Sequence, residues 1–160
     1  MTVFVFLFFF VLLKAGSSVR YITTMGDEEY VEASTGDMDA EFERLVAENE
    51  STANQALNAG RGSTAIATVL SNSIVGCKNP SIKDRNADVM MRLLTCVKES
   101  GVKAIVDTLD EDQIDVLMKY VYRLLATGEN SNVLLKWHEC AFEKGGLGCI
   151  VRAICERRSV

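Results

Sequence analysis

The chain of 160 residues carries few side chains suited to covalent chemistry. It has a single histidine, His138, and five cysteines: Cys77, Cys96, Cys140, Cys149 and Cys155. Cys140 lies two positions from His138. A thiolate–imidazole pair needs both groups within hydrogen-bond reach, and residues two apart on a helix point in different directions. The spacing therefore gives no nucleophile pair, and His138 reads as a surface or interface residue. Zinc needs about four Cys or His ligands, usually in close pairs. Cys140, Cys149 and Cys155 are separated by eight and then five residues, and no C-x-x-C occurs.

Asp110, Glu111, Asp112 and Asp115 resemble a calcium loop only in composition. The alternating acid pattern and its turn glycine are missing, so they read as acids at a helix start. Gly60-Arg61-Gly62-Ser63-Thr64 and Gly145-Gly146-Leu147-Gly148 lack the Gly-Lys-Ser/Thr ending of a phosphate loop, and no strand precedes either. The second reads as a helix stop and a tight turn. The expectation is a chain with no catalytic, cofactor-binding or metal-binding residue.

The elements that would position these residues are helical, and no stretch shows convincing strand alternation. Asp37 is a plausible N-cap for a first helix carrying Phe42, Leu45 and Val46, with acids following at the positive helix end. A short helix around Asn54–Ala59 stops at Gly60. Another, from Ser63 or Thr64, carries Ile66, Val69 and Leu70, and residues 72–79 form a loop. A helix beginning near Asp84 buries Met90, Leu93, Leu94 and Val97, spaced i, i+3, i+4, i+7, and Gly101 ends it. A short helix holds Val102, Ile105, Val106 and Leu109.

Asp110 and Gln113 have capping-box spacing. They open the clearest amphipathic stripe, Ile114, Leu117, Met118, Val121, Leu124 and Leu125, which Gly128 closes. A helix over 131–144 packs Val133, Leu134, Trp137 and Ala141. The last carries Leu147, Ile150, Val151, Ile154 and Cys155 and frays at Arg157-Arg158. The fold class is all-α, a compact bundle or short α-solenoid of about seven helices. Residues 37–160 form the helical domain, and residues 1–36 an apolar leader and a disordered acidic arm.

Charge is uneven: residues 1–60 carry ten acids and three bases, residues 61–160 twelve acids and fourteen bases. Neither half has the basic stripe that phosphate backbones require, which argues against nucleic acid. The odd cysteine count gives poor support for a disulfide framework, so reduced core thiols in a cytosolic protein are the simplest account. Residues 3–13 contradict this, being an unbroken apolar run. At eleven residues the run is short of the ~20 that cross a bilayer. It suits the apolar part of a secretory signal, although no Lys or Arg precedes it. A signal or anchor, a mispredicted first exon and a lineage-specific extension all remain open. Asn49-Glu50-Ser51 is a formal glycosylation sequon.

Tyr, Trp and Arg are enriched at binding hot spots. Candidate partner contacts on the helices are Lys119, Tyr120, Arg123, Trp137, His138 and Arg152. Tyr120 and Tyr122 face different sides of their helix, and Tyr120 fits equally a partner-binding spot or a core edge with a wet hydroxyl. In the arm, Asp27, Glu28, Glu29 and Tyr30 carry the densest charge and could meet a basic partner.

Several ordered motifs carry a family likeness: Ile82-Lys83-Asp84-Arg85, residues 117–123 (Leu-Met-Lys-Tyr-Val-Tyr-Arg), residues 134–139 (Leu-Leu-Lys-Trp-His-Glu), residues 145–152 (Gly-Gly-Leu-Gly-Cys-Ile-Val-Arg) and Arg158-Ser159-Val160. These resemble the subunit 5 family of the actin-related protein 2/3 complex. The likeness is strong over 80–160, thinner over 37–79 and absent over 1–26. It implies an all-α subunit without enzymatic activity, cofactor or small-molecule substrate, in a seven-subunit assembly that nucleates branched actin filaments in the cytoplasm. It also implies partners: the β-propeller subunit, subunit 4, and an actin-related subunit reached by the N-terminal arm. The alternative is a secreted or membrane-anchored helical protein-binding module, resting on residues 3–13.

Overall fold

In a computed structural model, the structure describes residues 35–156 and Val160. The described residues form six helices and no strand: α1 Thr35–Asn58, α2 Gly62–Ser71, α3 Pro80–Cys96, α4 Glu99–Thr108, α5 Glu111–Leu125 and α6 Ser131–Cys155. Of the expected leader and arm, residues 1–34 lie outside them, and Thr35 and Gly36 fall in α1 rather than in an arm.

Three expected boundaries are corrected. The first helix does not stop short of a second one near Asn54. Val46, Asn49 and Ala53 are fully buried at i, i+3, i+7, and this stripe carries α1 unbroken to Asn58, with Asp37 inside its span. The helix expected from Asp84 begins four residues earlier. Pro80 occupies its first turn, where its missing N–H costs nothing, and Asn79 Oδ1 accepts from Ser81 N at 3.1 Å. Gly101 ends no helix. α3 stops at Cys96, Val97 and Lys98 are extended, and Gly101 sits in the first turn of α4.

α5 starts where the capping box places it. Asp110 Oδ1 accepts from Gln113 N at 2.8 Å, and Gln113 Oε1 accepts from Asp110 N at 3.0 Å. Gln113 Nε2 also donates to Ser71 Oγ at 2.8 Å, tying this cap to the end of α2. The break expected at Gly145-Gly146 is present inside α6, where Gly146 adopts φ 63°, ψ −164°. Only glycine takes that conformation readily. The last expected helix is thus the segment of α6 beyond the break, which leaves six elements among the described residues.

α5 packs along α6, α1 against α2 and α3, and α4 against α6. α2 and α3 also reach α5, and α3 reaches α6. A solenoid repeat touches only its neighbours, so these cross-contacts make the fold a bundle. One apolar core runs through all six helices, centred on Leu93, Leu94, Leu117, Met118, Tyr120 and Trp137. A smaller cluster of Val46, Ile74, Cys77 and Ile82 lies beside Phe42 and Leu45, and it anchors the 72–79 loop. Trp137 Nε1 satisfies its buried donor on Leu94 O at 3.2 Å. Lys144 Nζ donates to the carbonyls of Val106, Asp107 and Leu109, covering the C-terminal end of α4. Gly62 leaves room for a close neighbour, since a Cβ there would run into Cys96 Sγ.

A buried polar chain links three helices. Asn49 Nδ2 of α1 donates to Asn86 Oδ1 of α3 at 3.1 Å and to Asn72 O at 3.2 Å. Asn86 Nδ2 donates to the Tyr120 hydroxyl of α5. All three side chains are fully buried. Asn86→Ala strands a donor and a hydroxyl away from water, and unsatisfied buried groups cost about 1–3 kcal/mol each. We expect Asn86→Ala to lower unfolding free energy by about 2–4 kcal/mol in urea titrations, against about 1–3 kcal/mol for Tyr120→Phe, which leaves only the Asn86 amide donor unmatched.

The same chain predicts an alkaline transition. Burial pushes the Tyr120 phenol up to about 12, against the Asn86 hydrogen bond, which acts in the opposite sense. With the folded value raised above the ordinary 10, the stabilisation is complete below pH 10 and is lost as pH rises toward 12. The loss should be on the order of 2 kcal/mol. Absorbance titration should show one tyrosinate forming only on unfolding, and Tyr120→Phe should remove that step.

Candidate protein-interaction surface

The last segment of α6 carries apolar residues on two sides. Cys149 is buried, and Ile150 and Ala153 pack against the core. Leu147, Val151 and Ile154, spaced i, i+4, i+7, face outward and are 68, 49 and 51% exposed. A helix that is apolar all round is normally covered all round. Before the glycine break, Leu135 and Phe142 are also exposed, with half-buried His138 on the same face at i+3 and i+7 spacing. Contiguous exposed apolar surface of this kind marks interaction sites.

The outer face is held in register by charges on its flank. Arg152 grips Asp115 through Nε at 2.5 Å and Nη2 at 2.9 Å, and reaches Glu111 Oε1 at 3.1 Å. Glu156 pairs with Lys119. Glu111, Asp115 and Lys119 are spaced by four along α5, and they meet Arg152 in the last turn of α6 and Glu156 at its C-cap, so one edge of α5 meets the end of α6.

The sequence-derived candidates fall into three groups. Asp27, Glu28, Glu29 and Tyr30 lie outside the described residues. Tyr120 and Trp137 are fully buried and present no surface to a partner. They are core side chains whose polar atoms are satisfied internally, so the reading of either as an exposed contact is corrected. Lys119 is also nearly enclosed. The charges of Lys119, Arg123 and Arg152 are already met within the chain. Arg123 donates to Asp84 Oδ1 and to Val160 O, each at 2.6 Å.

His138 is the candidate that reaches the outward face. Its Nε2 lies 3.1 Å from the Tyr122 hydroxyl, and the rings meet edge to face at 5.5 Å. Burial holds its imidazole below the usual histidine value. It faces Tyr122 rather than Cys140. The Cys140 thiol is buried, and that burial pushes it above the ordinary thiol value, against the reactive thiolate form. Among the described residues no group of three or more Cys, His, Asp or Glu could hold a metal ion.

Reasoning from sequence grouped Leu147, Val151 and Ile154 with Ile150 and Cys155 as the apolar residues of one helix and did not separate a surface set from a packed set. The signal was there: residues 147, 149, 150, 151, 153 and 154 are all apolar or small, which exceeds one face of a short helix.

Comparison with known proteins follows this geometry. The model of the ARP2/3 complex 16 kDa subunit (p16-Arc) family matches residues 23–160. The chain is 43% identical over 134 residues to actin-related protein 2/3 complex subunit 5 of Dictyostelium discoideum, covering 84% of this chain and 97% of that one. It is 42% identical over 98 residues to subunit 5-B of Xenopus laevis and 41% identical over 98 residues to the human subunit 5-like protein. Each of these two matches covers 60% of this chain and 64% of the relative, less than two thirds of its length. With a match across residues 23–160 and high identity over most of its length, the chain belongs to the ARP2/3 complex 16 kDa subunit (p16-Arc) family.

Proposed function

We propose that this chain is a non-catalytic structural subunit of an actin-related protein 2/3 complex in the cytoplasm. It supports nucleation of branched actin filaments by packing against neighbouring subunits. The observation that carries this is the family match over residues 23–160, joined to an α6 whose outer apolar face has no cover within the described chain. The β-propeller subunit and subunit 4 are the partners proposed for the helical domain. An actin-related subunit is proposed for the acidic arm at Asp27, Glu28, Glu29 and Tyr30. On the helical domain, His138 and the flanking Arg152 border the docking face.

A secreted or anchored helical binder is the competing reading, favoured by residues 3–13 alone. The sequon speaks against it. Asn49 Nδ2, the atom a glycan would substitute, is enclosed and donates both hydrogens inside the protein. No helix among the described residues is long and apolar enough to cross a membrane. Sequencing the mature N-terminus separates the readings: cleavage near residues 15–18 supports secretion, whereas a start at Met25 removes its basis.

Burying one exposed Leu, Val or Ile side chain contributes about 1.5–3 kcal/mol. Replacing Leu147, Val151 and Ile154 together by Asp should leave helicity and melting temperature nearly unchanged. It should cut recovery of actin-related and β-propeller proteins from extract at least tenfold. Recovery at the parental level from a folded triple variant would exclude this face as the docking surface.

Thiol labelling tests the non-catalytic assignment. Cys96 and Cys155 are exposed, whereas Cys77, Cys140 and Cys149 are buried. A maleimide probe should label the first two in the native protein, Cys96 the more slowly because burial raises its thiol value, and the other three only on unfolding. Fast labelling of Cys140 in the native protein would revive a cysteine nucleophile.

A further inference from the structure

A second surface feature lies in α1–α4, among residues separate from the α6 stripe. The end of α1, the start of α2, the end of α3 and the start of α4 enclose an open cavity of about 580 Å³. Its walls include Leu57, Val97 and Ile105, with Gly60, Gly62 and Gly101 leaving the space clear. Ser63, Cys96 and Lys98 supply its polar atoms, and no carboxylate lines it. This volume is within the range of sites that hold small ligands or a few side chains.

The charge around it is one-sided. α2 and α4 both begin at this cavity, and their N-cap residues are Arg61 and Lys98. Neither makes a side-chain cap, although Asp, Asn, Ser and Thr are the residues that favour this position. Most other bases of the helical domain are held by partners: Arg85 on Glu50, Lys103 on Glu143, Lys119 on Glu156, Arg123 on Asp84, Lys136 on Glu139 and Arg152 on Asp115. Lys98, in the lining, and Arg61, between Gly60 and Gly62 of the lining, have no ion pair among the described residues. Glu99, in the first turn of α4, is the nearest acid in sequence and is not in the lining. Burial keeps the Cys96 thiol above its usual value, so that wall stays uncharged.

We propose that this cavity receives a short acidic peptide segment of a partner protein. A carboxylate of the segment sits at the mouth by Lys98 and Arg61, and a neighbouring apolar side chain lies on Leu57, Val97 and Ile105. The apolar walls favour a peptide over a bare anion, which would leave them wet. The unpaired cations favour an acidic peptide over a neutral one.

The test titrates the isotope-labelled full chain with acetyl-Leu-Glu-Glu-Leu-amide, with its Gln counterpart acetyl-Leu-Gln-Gln-Leu-amide, and with inorganic phosphate. The amide signals of Gly60, Gly62 and Gly101 should move with the Glu peptide, and at least tenfold more weakly with the Gln peptide or phosphate. Lys98→Glu should weaken the Glu peptide tenfold or more. Gly101→Phe should abolish its binding by filling the space, since a Cβ at Gly101 meets only Val97 Cγ1, at an ordinary 3.7 Å. Equal shifts from the Glu and Gln peptides, phosphate moving these amides as strongly, or binding that survives both substitutions would each overturn the proposal.

Discussion

The burial of α5 on more than one side is the constraint on which this fold depends. Ile114, Leu117, Met118, Tyr120, Val121 and Leu124 are enclosed, and Lys119 with them. Three consecutive buried residues, 119–121, cannot share one helix face. α6 therefore covers one side while α2 and α3 cover another. Each polar atom taken inside then needs a partner. The Tyr120 hydroxyl finds Asn86, and the Lys119 ammonium finds Glu156. The Asn49–Asn86–Tyr120 chain and the clasp between α5 and the end of α6 both follow from α5 sitting at the centre.

Much of this was legible in the sequence where local chemistry decides structure. Asp110 and Gln113 specify the start of α5 through their own hydrogen bonds, and Gly145-Gly146 break α6 because φ 63° needs glycine. The boundaries that were not legible depend on contacts distant in sequence. Nothing near Asn54 says that α1 continues. It does so because Asn49 and Ala53 are buried against other helices, and Asn49 meets Asn86 thirty-seven residues away. Asn79-Pro80 was a readable helix start, passed over for Asp84, whose carboxylate instead holds Arg123.

The candidate contacts show the same division. Large aromatic and basic side chains are common both at interfaces and inside a well-linked core, and residue type does not separate the two. Tyr120 and Trp137 proved to be core because α3 supplies partners for both, the Asn86 amide and the Leu94 carbonyl. His138 alone of the helical candidates shares a face with exposed apolar residues. The more informative signal was an excess, a terminal helix with more apolar residues than one face can hide.

Magnitudes decide which of these surface features governs assembly. The ion pairs along α5 and α6 are mostly exposed: the Arg152 side chain is 44% accessible and Glu111 77%. Such pairs contribute about 0–1 kcal/mol and weaken in salt. They orient the terminal helix without holding a partner. Three outward aliphatic side chains, with half to two-thirds of each still to be covered and so about 1–2 kcal/mol each, outweigh them, and that contribution is insensitive to ionic strength. A surface whose cations are mostly spent inside the chain and whose outer helix is apolar is built for lasting association. The cavity between α2 and α4 differs in kind, since its unpaired cations make any contact there salt-dependent and readily reversed. On the proposed reading, the helical domain combines one face suited to permanent packing with one suited to exchange.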